Sequence, residues 1–223
     1  MRKRIIAALS ITLLLASCST GQKGGSGKIT AKVESTSVGE SQIEYIQVSG
    51  LSGSGLQDKI NDELHTFAIW PTVNIEDEVK VRAKAKYAII ADKYIAVRSE
   101  LSFSSPIKRE DLDSQIFDLE TGDFSGSTDN FIVSTEAIIN AFSSGKFLQV
   151  KPNVVIANAA ELIAAELSSS GEYGFYLTDK SLGIYLPSPP GIIAGVDSDW
   201  AFEAPYSSIT EVLTPSFRRL LNL

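Results

Sequence analysis

Residues 175–209 read FYLTDKSLGIYLPSPPGIIAGVDSDWAFEAPYSSI, and no other stretch narrows the possible folds as much. Phe175–Thr178 and Leu182–Leu186 are rich in aromatic and β-branched residues, the types that suit a half-buried pleated surface. Asp179, Lys180 and Ser181 between them read as a hairpin loop. Residues 187–191, PSPPG, cannot continue a strand, because proline lacks the N–H donor and fixes φ. Alternation then resumes. Trp200, Phe202 and Ala204 share one face of a strand, and Asp199, Ala201 and Glu203 share the other. Trp200 is open to two readings, core packing or an aromatic platform for a ligand. Ser207 or Ser208 is placed to cap a following helix.

The period-2 signal is cleanest at residues 79–86. Val79, Val81, Ala83 and Ala85 alternate there with Lys80, Arg82, Lys84 and Lys86. Burial of one face explains the pattern. The same pattern lines up four cations that suit an anionic glycan or an acidic segment. Residues 87–91 and 94–104 extend the run across Asp92 and Lys93, which predicts a long antiparallel hairpin. Further strands are expected at 29–35, 43–48 and 115–119, the last followed by a turn in which Gly122 supplies positive φ. The charged run 108–113, KREDLD, reads as a loop or short helical turn.

Helical spacing places Leu56, Ile60, Leu64 and Phe67 on one stripe, with Ser54 near the cap. A second helix is expected from Ser134 to Phe142. A third spans 154–167, with Ala157, Ala160, Ile163, Ala164 and Leu167 inward. Thr214 and Pro215 open a last helix through Leu220, with Arg218 and Arg219 near its C-terminal carbonyls. Hairpins interleaved with helices predict a single α+β domain over residues 28–223, an antiparallel or mixed sheet with helices packed on one face.

The start of the chain reads as a leader. Arg2, Lys3 and Arg4 precede an apolar run of residues 5–16. That run is shorter than the ~20 residues a membrane-spanning helix needs. It ends in Leu15-Ala16-Ser17-Cys18, small residues before the only cysteine. This resembles a bacterial lipoprotein box, in which the Cys18 thiol carries the lipid and becomes the new N-terminus after residues 1–17 are removed. The expected attachment is a membrane anchor of diacylglycerol and further acyl chains such as palmitate, and several chains hold where one does not. Residues 18–27 are Gly/Ser-rich and read as a flexible tether. The expected location is the cell envelope, outside the cytoplasm. Where two membranes exist it is the outer one, since Ser19 is not an inner-membrane retention aspartate.

Loss of the leader takes the formal net charge from −7 to −10. Such a chain is a poor partner for nucleic acid and is drawn to cationic partners. No catalytic constellation emerges. His65 is the only histidine, so neither a His-based metal site nor a second imidazole is available. Gly27-Lys28 lacks the spacing of a phosphate loop, and Ser52 and Ser54 lack the flanking glycines of a nucleophile elbow. Asp111 and Asp113 have the spacing of the first ligands of a calcium loop, but Ile116 stands where its glycine belongs. No cofactor is implied.

The 175–178 strand, the break up to Gly195 and the Ala204-Pro205-Tyr206-Ser207 ending resemble a known domain family. So do residues 60–64, INDEL, and 117–122, FDLETG. That family forms the extracytoplasmic part of lysozyme-sensing anti-sigma factors and the N-terminal region of some peptidoglycan deacetylases. The likeness runs from about Lys28 onward, and the segment before Gly195 is richer in proline than the family's pattern. The resemblance implies a non-catalytic binding domain whose ligand is lysozyme or a peptidoglycan component. Deacetylation belongs to a separate metal-dependent domain for which this chain lacks the histidines. The sequence shows no sigma-binding segment. Two alternatives stay open: a structural or assembly lipoprotein, and a glycan hydrolase working through two carboxylates about 5–9.5 Å apart.

Overall fold

The computed structural model describes residues 28–73, 79–104, 109–152, 158–186 and 197–223. The leader, Cys18, the tether, the proline-rich break and Ala157 lie outside the described residues.

Among the described residues, two sheets and four helices make up an α+β fold. The first sheet holds β1 (Thr30–Val38), β2 (Ser41–Ser49), β3 (Lys80–Ile90), β4 (Tyr94–Ser104), β5 (Arg109–Asp118) and, beyond β5, the two-residue β9 (Asp197–Ser198). It is mixed: β2 pairs β3 and β5 pairs β9 in parallel, and its other pairs are antiparallel. Parallel neighbours need a crossover, and α1 (Ser54–Ile69) supplies it between β2 and β3. The second sheet is antiparallel, in the order β6 (Leu148–Lys151), β10 (Trp200–Pro205), β8 (Ser181–Leu186), β7 (Gly174–Leu177).

The expected long hairpin is β3–β4, paired from Lys80↔Ser104 to Ile90↔Tyr94. Ala91 and Asp92 at its tip both take positive φ, as a turn matching the twist of the flanking strands requires. Val81, Ala83 and Ala85 are buried, on the face of the first sheet that carries α1. Ile60, Leu64 and Phe67 of α1 are buried there, and Leu56 is partly buried. The opposite face of β3 changes character along its length: Lys80 to Lys86 are exposed, whereas Ala88 and Ile90 are buried. That change marks where the second sheet begins to cover the first, with β7 running over β4 and β5.

The second sheet is covered on its other face by α2 (Thr135–Ser143) and α3 (Ala159–Ser170). Trp200, Phe202 and Ala204 point into this core; the Phe142 and Phe202 rings meet edge to face at 5.2 Å. Helices thus cover one face of each sheet. Ser134 caps α2, its Oγ accepting from Ala137 N–H. Thr214 does the same for α4 (Pro215–Leu220) through Phe217 N–H. Among the described residues no helix is long and apolar enough to cross a membrane.

Four local expectations are corrected. Residues 109–113 are strand, because β5 pairs with β4 along its whole length and the ladder satisfies a backbone whose side chains carry little strand signal. The third helix begins at Ala159, after Asn158 in the left-handed conformation; Ala159, Ile163 and Leu167 are its buried residues, and Ala160 and Ala164 are only partly buried. Residues Tyr206–Ser208 form a single 3-10 turn rather than a capped helix. The cap of α1 is Gly53, one residue before Ser54.

Candidate functional site

The hairpin register decides what surrounds the cationic stripe. On β4, Ser102, Glu100 and Arg98 lie opposite Arg82, Lys84 and Lys86 and share their face. Lys86 Nζ bonds Glu100 Oε1 at 2.6 Å. Lys80 is paired with Glu40 from the β1–β2 turn. Arg82 and Lys84 are exposed and make no ion pair among the described residues. The stripe therefore combines two neutralised ends with two unneutralised central cations. Lys151, at the end of β6, comes to the same place from the second sheet: it pairs with Glu110 at 3.6 Å and acts on Glu100 electrostatically. These cations form a basic shelf on the part of the first sheet that the second sheet leaves open.

At the inner end of the shelf the two sheets meet through polar groups. Arg98 reaches Glu100 and Glu203, each at 3.3 Å. Its guanidinium lies 4.2 Å from the centre of the Tyr176 ring. Tyr176 Oη donates to Glu203 Oε1 at 2.8 Å, and Ser181 Oγ donates to Glu203 Oε2 at 3.0 Å. Arg98 Nε is buried with no partner among the described residues. Burial alone would raise the Glu100 carboxyl, but Lys86, Arg98 and Lys151 together hold it below the usual carboxylate range. Burial pushes the Tyr176 phenol well up; Glu203 adds to this and Arg98 opposes it. A cleft of 350 Å³ opens here, lined by Lys86, Tyr87, Arg98, Tyr176, Thr178 and Asp179 among others.

Two glycines make this junction possible. Gly183 pairs with Tyr176 and Gly174 with Tyr185 across β7–β8. A Cβ on either glycine would sit 2.1 Å from its partner's ring, so each tyrosine lies flat over a glycine. Tyr185 Oη shares a 3.3 Å hydrogen bond with Ser114 Oγ, and burial pushes its phenol up to about 12.

A second cleft, of 370 Å³, is lined by Arg109, Asp111, Tyr185 and Asp199. Two of its carboxylates are engaged: Asp111 pairs with Arg109, and Asp199 Oδ2 accepts from Leu112 N–H at 2.7 Å. Nearby, burial raises the Asp113 carboxyl, Ser114 N–H opposes this and Asp111 adds to it. Among the described residues no three His, Cys, Asp or Glu side chains could hold a metal ion. His65 packs edge to face on Tyr45 at 5.0 Å.

Of the residues singled out from sequence, Lys80, Arg82, Lys84 and Lys86 do share one exposed face. Trp200 is corrected: it is 0% exposed and belongs to the core of the second sheet, so it offers no surface to a ligand. Sequence reading missed Arg98, Glu100, Lys151, Tyr176 and Glu203. The expected turn of Asp92 and Lys93 alone would set Ser99 opposite Lys86; the loop also takes in Ala91, and this one-residue difference in register brings Arg98 and Glu100 opposite Lys86 and Lys84.

No protein-family model matches the sequence, and no curated protein matches it. Among solved structures, the chain is similar to a DUF3298 family protein from Pseudomonas aeruginosa PAO1, with 9% identity and a TM-score of 0.49 over 86% of this chain and 97% of that one. It is also similar to a DUF3298 family member from Bacteroides fragilis NCTC 9343, with 8% identity and a TM-score of 0.47 over 90% of this chain and 100% of that one.

Proposed function

We propose that this chain is a cell-envelope lipoprotein, held by lipid on Cys18, whose domain binds a peptidoglycan component without transforming it. The observation that carries the reading is the basic shelf. In a chain of net charge −7, Arg82 and Lys84 stand exposed and unneutralised between two paired lysines, with Lys151 brought up to the neighbouring Glu110 and Glu100. Their side chains recur about every 6.7 Å along the strand, a spacing on which successive carboxylates of a stem peptide can lie. Glu100 and Glu203 at the junction and Asp111 and Asp199 at the second cleft are tied to cations or backbone donors, which favours binding over hydrolysis by a pair of these carboxylates. A second reading, a lysozyme-type cationic protein as ligand, is favoured by the acidic balance of the rest of the chain.

The test is co-sedimentation of the lipid-free protein (Cys18→Ser) with purified peptidoglycan, and capture on immobilised lysozyme, at low and high salt. The wild type is expected to sediment at low salt. Arg82→Glu with Lys84→Glu should lose at least about tenfold in affinity with an unchanged melting curve, because both residues are exposed. Sedimentation that charge reversal leaves unaltered, or none at low salt, overturns the shelf as the binding site; lysozyme capture alone supports the second reading. Mass spectrometry of the membrane-extracted protein checks the acyl chains on Cys18.

A further inference from the structure

We propose that two copies of this chain associate through the outer edge of β1, antiparallel and centred on Val33. This does not depend on the ligand reading.

β1 is an edge strand of nine residues; the other outermost strands, β9, β6 and β7, have two, four and four. Its burial pattern leaves most of both faces exposed, with Val33 at 45%. Long exposed edges are templates for pairing, and proteins usually blunt them with charged side chains, bulges or proline. β1 has no proline, and its register with β2 runs without a break. Its two charges, Lys32 and Glu34, are opposite in sign and pair with each other at 2.5 Å.

The direction of the free backbone groups follows from β2. Val48 N–H donates to Asn61 Oδ1 at 2.7 Å, and its carbonyl accepts from Asn61 Nδ2 at 3.0 Å. Both Val48 groups therefore point away from β1. Ala31, the partner of Val48, is then in a non-hydrogen-bonded pair. By alternation Ala31, Val33 and Ser35 direct their own N–H and C=O groups outward. The Ala31 carbonyl accepts from Tyr87 Oη at 2.6 Å, which leaves it one lone pair.

The sequence along this edge is complementary to its own reverse. With Val33 facing Val33 of a second copy, Lys32 faces Glu34, Ala31 faces Ser35 and Thr30 faces Thr36. Each is a favourable or neutral cross-strand pair, and no like charges meet. The centre falls on an outward-directed residue, so the two-fold axis passes through a hydrogen-bonded pair, and about six backbone hydrogen bonds can form. Such an interface is isologous and closes at two copies. A partner of unrelated sequence would match the hydrogen bonds but not this charge order, so a second copy is the occupant.

Two experiments on the full chain test this, in a Cys18→Ser background that removes its only native thiol. In the first, single cysteines are oxidised and the products separated without reduction. Val33→Cys faces itself at a Cα separation of about 5.5 Å, within disulfide range. It should cross-link at least about tenfold faster than Val38→Cys, which is also exposed but does not face itself. In the second, differently tagged Lys32→Glu and Glu34→Lys chains are mixed. Each alone should lose self-association, because it sets like charges opposite each other. Together they should regain it, since each supplies the charge the other lacks, and a role confined to the intramolecular pair gives no such rescue. Equal cross-linking at positions 33 and 38, or a mixture no better associated than its components, overturns the proposal.

Discussion

Replacing Arg98 by Met tests whether the junction between the sheets is energetically coupled. The substitution keeps an apolar stem over the Tyr176 ring and removes the charge that joins Glu100 to Glu203. Removing one partner of a fully buried ion pair costs about 3–5 kcal/mol. Two features reduce that here. The side chains of Arg98, Glu100 and Glu203 retain 15%, 20% and 28% exposure, so water reaches them. Each carboxylate also keeps another partner: Glu100 keeps Lys86, and Glu203 keeps the Tyr176 and Ser181 hydroxyls. The expected loss is about 2 kcal/mol, read as a fall of about 4–8 °C in Tm for a chain of this size. Urea denaturation followed by near-UV circular dichroism measures it. Adding Glu203→Gln should then cost less than it does alone, because the charge it removes has already lost its cation; the double-mutant cycle should give at least about 1 kcal/mol of coupling. A loss under about 0.5 kcal/mol, or strict additivity, would refute the reasoning and leave Arg98 a surface residue in energetic terms.

Two further outcomes follow from single positions. Asp113→Asn should stabilise the protein at pH 7, because burial raises the native carboxyl above its unfolded value. A raised carboxyl contributes stability below the unfolded pKa and loses it as pH rises through the folded one, so the gain should vanish near pH 3. Equal stability of the two proteins at pH 7 argues against it. Gly183→Ala should destabilise by about 1–3 kcal/mol through overpacking, since its Cβ would meet the Tyr176 ring at 2.1 Å. Combination with Tyr176→Leu should recover part of that loss, and failure to recover any would place the strain elsewhere.

What was legible in the sequence follows from where periodicity acts. The β3–β4 hairpin and the stripe of α1 were readable because each has one buried and one open face, and the alternation records that. The second half of β5 was expected as strand, but the first half was not, because Arg109, Glu110, Asp111 and Asp113 place charge on both of its faces and Leu112 is its only apolar residue. Its strand character comes from β4, which pairs with it from Phe103↔Arg109 onward. β6 was missed for a related reason: it has four residues, exposes Leu148 at 67%, and is a strand because β10 lies beside it. The site divides in the same way. The cationic face of β3 is local information. The meeting of Arg98 with Glu203, 105 residues apart, arises from sheet-on-sheet packing, which no window of the sequence records.

The polar junction also bears on why the shelf has its shape. A buried ion pair adds little net stability compared with apolar residues of the same volume, so stability alone gives no reason for Arg98 to stand between the sheets. Position gives one. An apolar interface tolerates small slides, whereas a guanidinium shared by Glu100 of one sheet and Glu203 of the other admits one arrangement. Tyr176 and Tyr185, each flat over a glycine, fix the height at which the sheets meet. β10 carries Glu203 and also pairs with β6, placing Ala201 opposite Lys151. The contact that holds Glu203 to Arg98 therefore also sets where Lys151 stands against Glu110 and Glu100. On this reasoning Arg98 is a positioning residue for a shelf assembled from two sheets. Its loss should weaken any anionic ligand that spans both sheets more than one confined to β3.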